Sequence, residues 1–105
     1  MQAREILDGK HGKDPVLMDV RGQQSGITDF FLIVTGTSPP HLKALFNEVQ
    51  QGLKAKGVAC FRKAGMPEGG WLVLDYVDLV IHILSPEARE YYDLESLWKT
   101  APHLL

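Results

Sequence analysis

Apolar and polar positions along the chain fall into three kinds of pattern. Residues 29–35, Asp-Phe-Phe-Leu-Ile-Val-Thr, form a continuous aromatic and branched run. That pattern predicts a central strand covered on both faces. A second such run, Leu79-Val80-Ile81-His82-Ile83-Leu84, closely follows Trp71-Leu72-Val73-Leu74-Asp75. Tyr76-Val77 between them predicts the turn of a hairpin. In contrast, Leu42, Leu45, Phe46, Val49 and Leu53 recur at helical spacing and predict one apolar stripe on an amphipathic helix. Ser38 suits its N-cap and Pro39 its first turn. Lys54 and Lys56 suit the negative end of the helix dipole, and Gly57 the stop.

Weaker segments complete the order. Residues 2–8 predict about two turns of helix, ended by Gly9 and Gly12. Residues 15–20 predict a short strand, joined to the central one by an irregular loop over 21–28. Residues 58–62 predict a minor strand, and 64–70, rich in Gly and Pro, a loop. Ser85-Pro86-Glu87 predicts a second capped helix start, with Asp93 capping a further turn through Leu94 to Trp98. The order helix, β, β, α, β, β, β, α predicts a single α/β domain over residues 1–105, with a mixed sheet of about five strands and flanking helices. It does not fit a strictly alternating dinucleotide-binding pattern.

Composition adds boundaries to this picture. The 105 residues are 45% hydrophobic and 23% charged, with a net charge of −2, as in an ordinary globular domain. A strongly basic nucleic-acid coat is excluded, and direct DNA binding is not expected. No run of about twenty apolar residues is present, so no membrane partner is expected. Cys60 is the single cysteine and has no partner for an internal disulfide. The polar first residues do not read as a signal peptide, and a cytoplasmic setting is expected.

Candidate chemistry is sparse. His11, His41, His82 and His103 stand at no metal-ligand spacing with one another or with Cys60, so no metal or cofactor is expected. His82 lies on the strand face opposite Ile81 and Ile83, as a structural histidine or a partner contact. Cys60 reads as a buried inert thiol. Gly36-Thr37-Ser38 lacks the Gly-Lys-Ser/Thr ending of a phosphate loop and reads as a turn plus N-cap. Asp75 and Asp78 flank the hairpin turn. They could hold Mg²⁺ in a minimal nucleotidyltransferase, but their x-x spacing need not bring the two carboxylates together, and turn-forming aspartates explain them. Trp71, Tyr76, Tyr91, Tyr92 and Trp98 concentrate in the last third. Those left unburied would mark a protein interface.

Five blocks carry a further signal. Asp19-Val20-Arg21-Gly22, residues 28–38, residues 71–76, residues 78–83 and residues 89–98 occur in an order and at gaps that resemble the ribosomal silencing factor, or Iojap-like, family over residues 15–102. The resemblance implies a nucleotidyltransferase-like fold without the catalytic motif, and no enzymatic activity. It implies docking on a large-subunit ribosomal protein, number fourteen of that set, at the intersubunit face. Steric blocking of subunit joining and repression of translation would follow, with a link to large-subunit assembly. A homodimer of the free protein is a further implication. Contact candidates are Trp71, Leu72, Asp75, Tyr76, Asp78, His82, Arg89 and Tyr92. Two departures stand out: Val77 replaces the glycine usual in the hairpin turn, and the N-terminal helix is short.

Overall fold

The computed structural model describes residues 13–19 and 30–93. The expected N-terminal helix, the loop over 21–28 and the helical turn over 94–98 lie outside them. Five strands form one mixed sheet. They are β1 (Lys13–Asp19), β2 (Phe30–Thr35), β3 (Arg62–Met66), β4 (Trp71–Asp75) and β5 (Leu79–Leu84), in spatial order β1-β2-β5-β4-β3. The two continuous apolar runs, β2 and β5, sit side by side and parallel, Phe30 opposite Leu79 through Thr35 opposite Leu84. All other pairs are antiparallel.

Strand alternation gives the sheet two apolar faces. On the first, Leu32, Val34, Leu72, Leu74, Ile81 and Ile83 meet Leu42, Leu45, Val49 and Leu53 of helix α1 (Pro39–Ala55). Each such buried side chain contributes about 2 kcal/mol relative to exposure. On the second, Met18, Phe31, Ile33, Val80 and Leu84 pack with Ala88 of helix α2 (Pro86–Tyr92). Seventeen residues of α1 cover the first face, whereas α2 has only seven. Burial on the second face therefore fades from β2 and β5 through β4 to β3, which is exposed along its length.

Both helix starts form as their caps predict. Ser38 Oγ accepts from the backbone N–H of His41 (3.2 Å), and Ser85 Oγ from that of Ala88 (3.1 Å). Gly57, at φ +84°, follows the end of α1. Asp93 closes α2 in the left-handed region at φ +46°, its N–H donating to the Arg89 carbonyl, and the further turn expected after it lies outside the described residues.

The third strand departs from expectation. The branched and aromatic segment 58–61 is not a strand, and β3 begins at Arg62 and runs into the segment expected to be a loop. Pairing with β4, not intrinsic preference, sets its position: Arg62 lies opposite Asp75 and Met66 opposite Trp71. Gly65 allows this. It has φ +93°, and a Cβ there would strike the Trp71 carbonyl oxygen. A glycine that reads as a loop marker is thus a point of close backbone approach. Gly65→Ala is expected to cost more than about 2 kcal/mol in denaturant unfolding. A loss below about 0.5 kcal/mol, the level of an ordinary surface substitution, would show that β3 does not need this approach.

Candidate partner-docking site

The open part of the second face carries a ladder of rings running from the core to the surface. Phe31 of β2 meets His82 of β5 edge to face, with centroids 5.2 Å apart. His82 lies 5.8 Å from Trp71 of β4. Trp71 lies 4.5 Å from Tyr92 at the end of α2, and Tyr92 stands at 81° to Tyr91. Exposure rises along the same path: His82 is buried, Trp71 half-buried, Tyr92 47% and Tyr91 81% exposed. Met66, directly across from Trp71, is 66% exposed. Large apolar groups are thus held at the surface by contacts with the core.

His82 is the pivot. Its Nδ1 accepts a hydrogen bond from the Trp71 indole Nε1–H at 3.1 Å. That acceptor role puts the ring proton on Nε2 in the neutral form. Nε2 itself is buried without a partner. Burial lowers the His82 pKa from 6.5 to about 4, so the ring is neutral at physiological pH, the form that can accept from Trp71.

The polar frame lies at the two ends of this face. Arg89 donates from a guanidinium nitrogen to Thr35 Oγ1 at 2.9 Å, tying α2 to the end of β2. At the far end of β4, Asp75 accepts from the Val77 backbone N–H (2.8 Å) and lies 3.7 Å from Arg62 Nε. Asp78 is exposed at the turn. Its N–H donates to the Tyr76 carbonyl (2.9 Å) across Val77, which has φ +73°. This is a positive-φ γ-turn, a strained conformation for a β-branched residue.

Of the eight expected contact residues, the structure brings Trp71, His82 and Tyr92 together and places Arg89 and Asp75 at the margins. Asp78 is exposed but beyond the turn. Leu72 and Tyr76 go elsewhere. Both point to the α1 side and are buried at 3% and 8% exposure. Alternation on β4 puts them on the opposite face from Trp71. The Tyr76 pKa is pushed up to about 12, first by burial and then by Cys60. Met66 was missed, whereas Tyr91, among the aromatics expected to mark an interface if unburied, is exposed beside Tyr92. Met66 could be found only from the β3 register.

Other expectations can be placed. Asp75 is engaged in holding the turn, and no group of three His, Cys, Asp or Glu able to hold a metal occurs among the described residues. The Gly36–Ser38 segment is a turn closed on itself, the Thr37 N–H donating to His41 Nδ1 at 2.9 Å. Cys60 is half-buried, its sulfur 3.1 Å from the Arg62 carbonyl oxygen. No described helix is long and apolar enough to cross a membrane.

Two outcomes test this geometry. A histidine whose pKa is lowered on folding stabilises the fold above its unfolded pKa. That contribution drains away as pH falls through the folded value. Between pH 7 and pH 4 the unfolded chain takes up the proton first, so His82 alone should remove about 3 kcal/mol. Denaturant unfolding at several pH values should show that loss in the parent and a shallower one in His82→Leu; equal slopes would contradict it. Val77→Gly should raise stability by about 1 kcal/mol by relieving the positive φ, and a destabilised variant would show that the turn is not strained.

Comparison with known proteins agrees with the fold. The profile of the family described as "Ribosomal silencing factor during starvation" matches residues 1–104. A ribosomal silencing factor from Haemophilus influenzae is 40% identical over 94 residues, covering 90% of this chain and 91% of its own. One from Bacillus subtilis is 33% identical over 100 residues, covering 95% and 84%. A crystal structure of a protein from Chromobacterium violaceum superposes with a TM-score of 0.88 at 37% identity, covering 93% of this chain and 81% of that one. With the profile matched over nearly its whole length, this chain belongs to the ribosomal silencing factor family.

Proposed function

We propose that this protein is a ribosome-associated repressor of translation that acts by occupying space. The observation that carries the reading is the family match over residues 1–104. In this reading the domain docks on the protein of the large subunit's intersubunit face expected above. Its bulk then stands where the small subunit must approach. No bond is made or broken. Cytoplasmic residence, a homodimer of the free chain and the absence of direct DNA contact belong to the same reading.

The half-open second face is the docking surface. Trp71 supplies the anchor, because Trp and Tyr in a preset orientation give the most binding energy per side chain. Tyr92 extends the apolar patch and His82 holds the indole. Asp75, Asp78 and Arg89 form a charged rim that steers encounter and makes it sensitive to salt. Leu72 and Tyr76 act only through the core. The nucleotidyltransferase reading has less support, since the Asp75 carboxylate is engaged at Val77 and Arg62.

Sedimentation with purified large subunits tests the proposal. The parent chain should travel with the subunits and reduce their association with small subunits. Trp71→Ala should weaken binding by about thirtyfold, the equivalent of about 2 kcal/mol, while retaining a folded circular dichroism spectrum. Leu72→Ala should lower stability by about 2–5 kcal/mol yet leave the affinity of the folded fraction unchanged. A parent chain that stays at the top of the gradient would overturn the proposal, and a folded Trp71→Ala of undiminished affinity would overturn the assignment of the surface.

A further inference from the structure

We propose that the corner where α1 ends and β3 begins is a second docking surface, built for the phosphate backbone of single-stranded RNA. Between Gly52 and Pro67 the chain carries Lys54, Lys56, Arg62 and Lys63 and no carboxylate. Removing these four charges from the net −2 leaves −6 for the rest of the chain. The basic segment is thus a local reversal in an acidic protein, and local charge, rather than the total, determines what a corner attracts.

The fold brings two of these cations together, while Arg62, opposite Asp75, sits on the other face of the same edge strand. Lys54 of α1 and Lys63 of β3 line one cavity of about 210 Å³ with Gln50, Ala59 and Cys60. Lys63 reaches it because it lies opposite Leu74, on the α1 side of the sheet. Among the described residues no carboxylate pairs with Lys54, Lys56 or Lys63. Arg62 reaches Asp75 only at 3.7 Å, with its side chain 72% exposed. Unpaired lysines at a helix end and an edge strand are free to exchange counterions for phosphates.

An aromatic ring stands beside Arg62 at this corner. Phe61 is 65% exposed, and the Arg62 guanidinium carbon lies 5.1 Å from its centroid. The backbone beneath is anchored at both ends: the Val58 N–H donates to the Leu53 carbonyl and the Phe61 N–H to the Asp75 carbonyl, each at 2.8 Å. The ring is therefore presented on a fixed backbone. An exposed ring with a guanidinium beside it and lysines on the same short segment can stack a base while holding its phosphates. An anionic membrane fits less well, because the apolar stripe of α1 is buried in the core and leaves no face to insert. The surface lies apart from Trp71. It relies on the ribosome-docking reading only for the setting in which RNA would be met.

Fluorescence anisotropy of the full chain with a labelled single-stranded RNA oligonucleotide tests this. Binding should weaken steeply with salt. In Lys54→Ala/Lys63→Ala the slope of log affinity against log salt should be shallower by about 1.4, from about 0.7 per lost phosphate contact. Phe61→Ser should bind about tenfold more weakly with the slope unchanged. Trp71→Ala should bind the RNA like the parent, so failure at the large subunit and failure here are separate results. Parent-like binding by the lysine variant would overturn the proposal. So would stronger capture by phosphatidylglycerol vesicles than by RNA, no RNA binding by the parent, or a lysine variant altered only in aggregation, the mark of cations that merely guard a sheet edge.

Discussion

A parallel pair of strands has no hairpin to set its register, so β2 and β5 must be held by what covers them. In this domain everything else follows from that need. Leu32, Val34, Ile81 and Ile83 face α1, and Phe31, Ile33, Val80 and Leu84 face the other way. A one-residue slip would carry each set to the wrong side. The long helix covers one face from β2 to β4. Among the described residues the short one satisfies the other only in part, and the surface it leaves is the one proposed to take a partner.

His82 stands at the boundary between these two regimes. A buried histidine in a branched strand is costly unless its nitrogens are used. Here one nitrogen accepts from Trp71, and the ring packs edge to face with Phe31. The core thus reaches through a neutral imidazole to orient an indole at the surface. Such an arrangement reduces the ordering cost that a free tryptophan would meet on binding. The same domain presents a basic corner at the far end of α1. A protein with an aromatic face and a separate cationic edge has two chemically different grips, suited to a target made of both protein and RNA.

Much of this was legible in the sequence because local signals and tertiary demands agree. The stripe from Leu42 to Leu53, the serine caps and the two continuous apolar strands appear where the pattern puts them. β3 did not, because its position is decided by pairing with β4 and by the one glycine that tolerates the approach, and neither leaves a periodic trace. The same error hid Met66 from the site. Leu72 and Tyr76 show a different effect: residue type suggests an interface, whereas alternation along β4 assigns them to the face opposite Trp71. Val77 shows the limit of turn preference, since the side chain of Asp75 and the pairing of β4 with β5 hold it at positive φ despite its branching.

The central claim is that the Trp71 face, and not the α1 face, meets the ribosome. Hydrogen–deuterium exchange of the protein alone and on purified large subunits reads this directly. The account predicts new protection over β4 and α2, around Trp71 and Tyr92, with the middle of α1 around Leu45 unchanged. Protection confined to α1, with β4 and α2 exchanging as in the free protein, would contradict it.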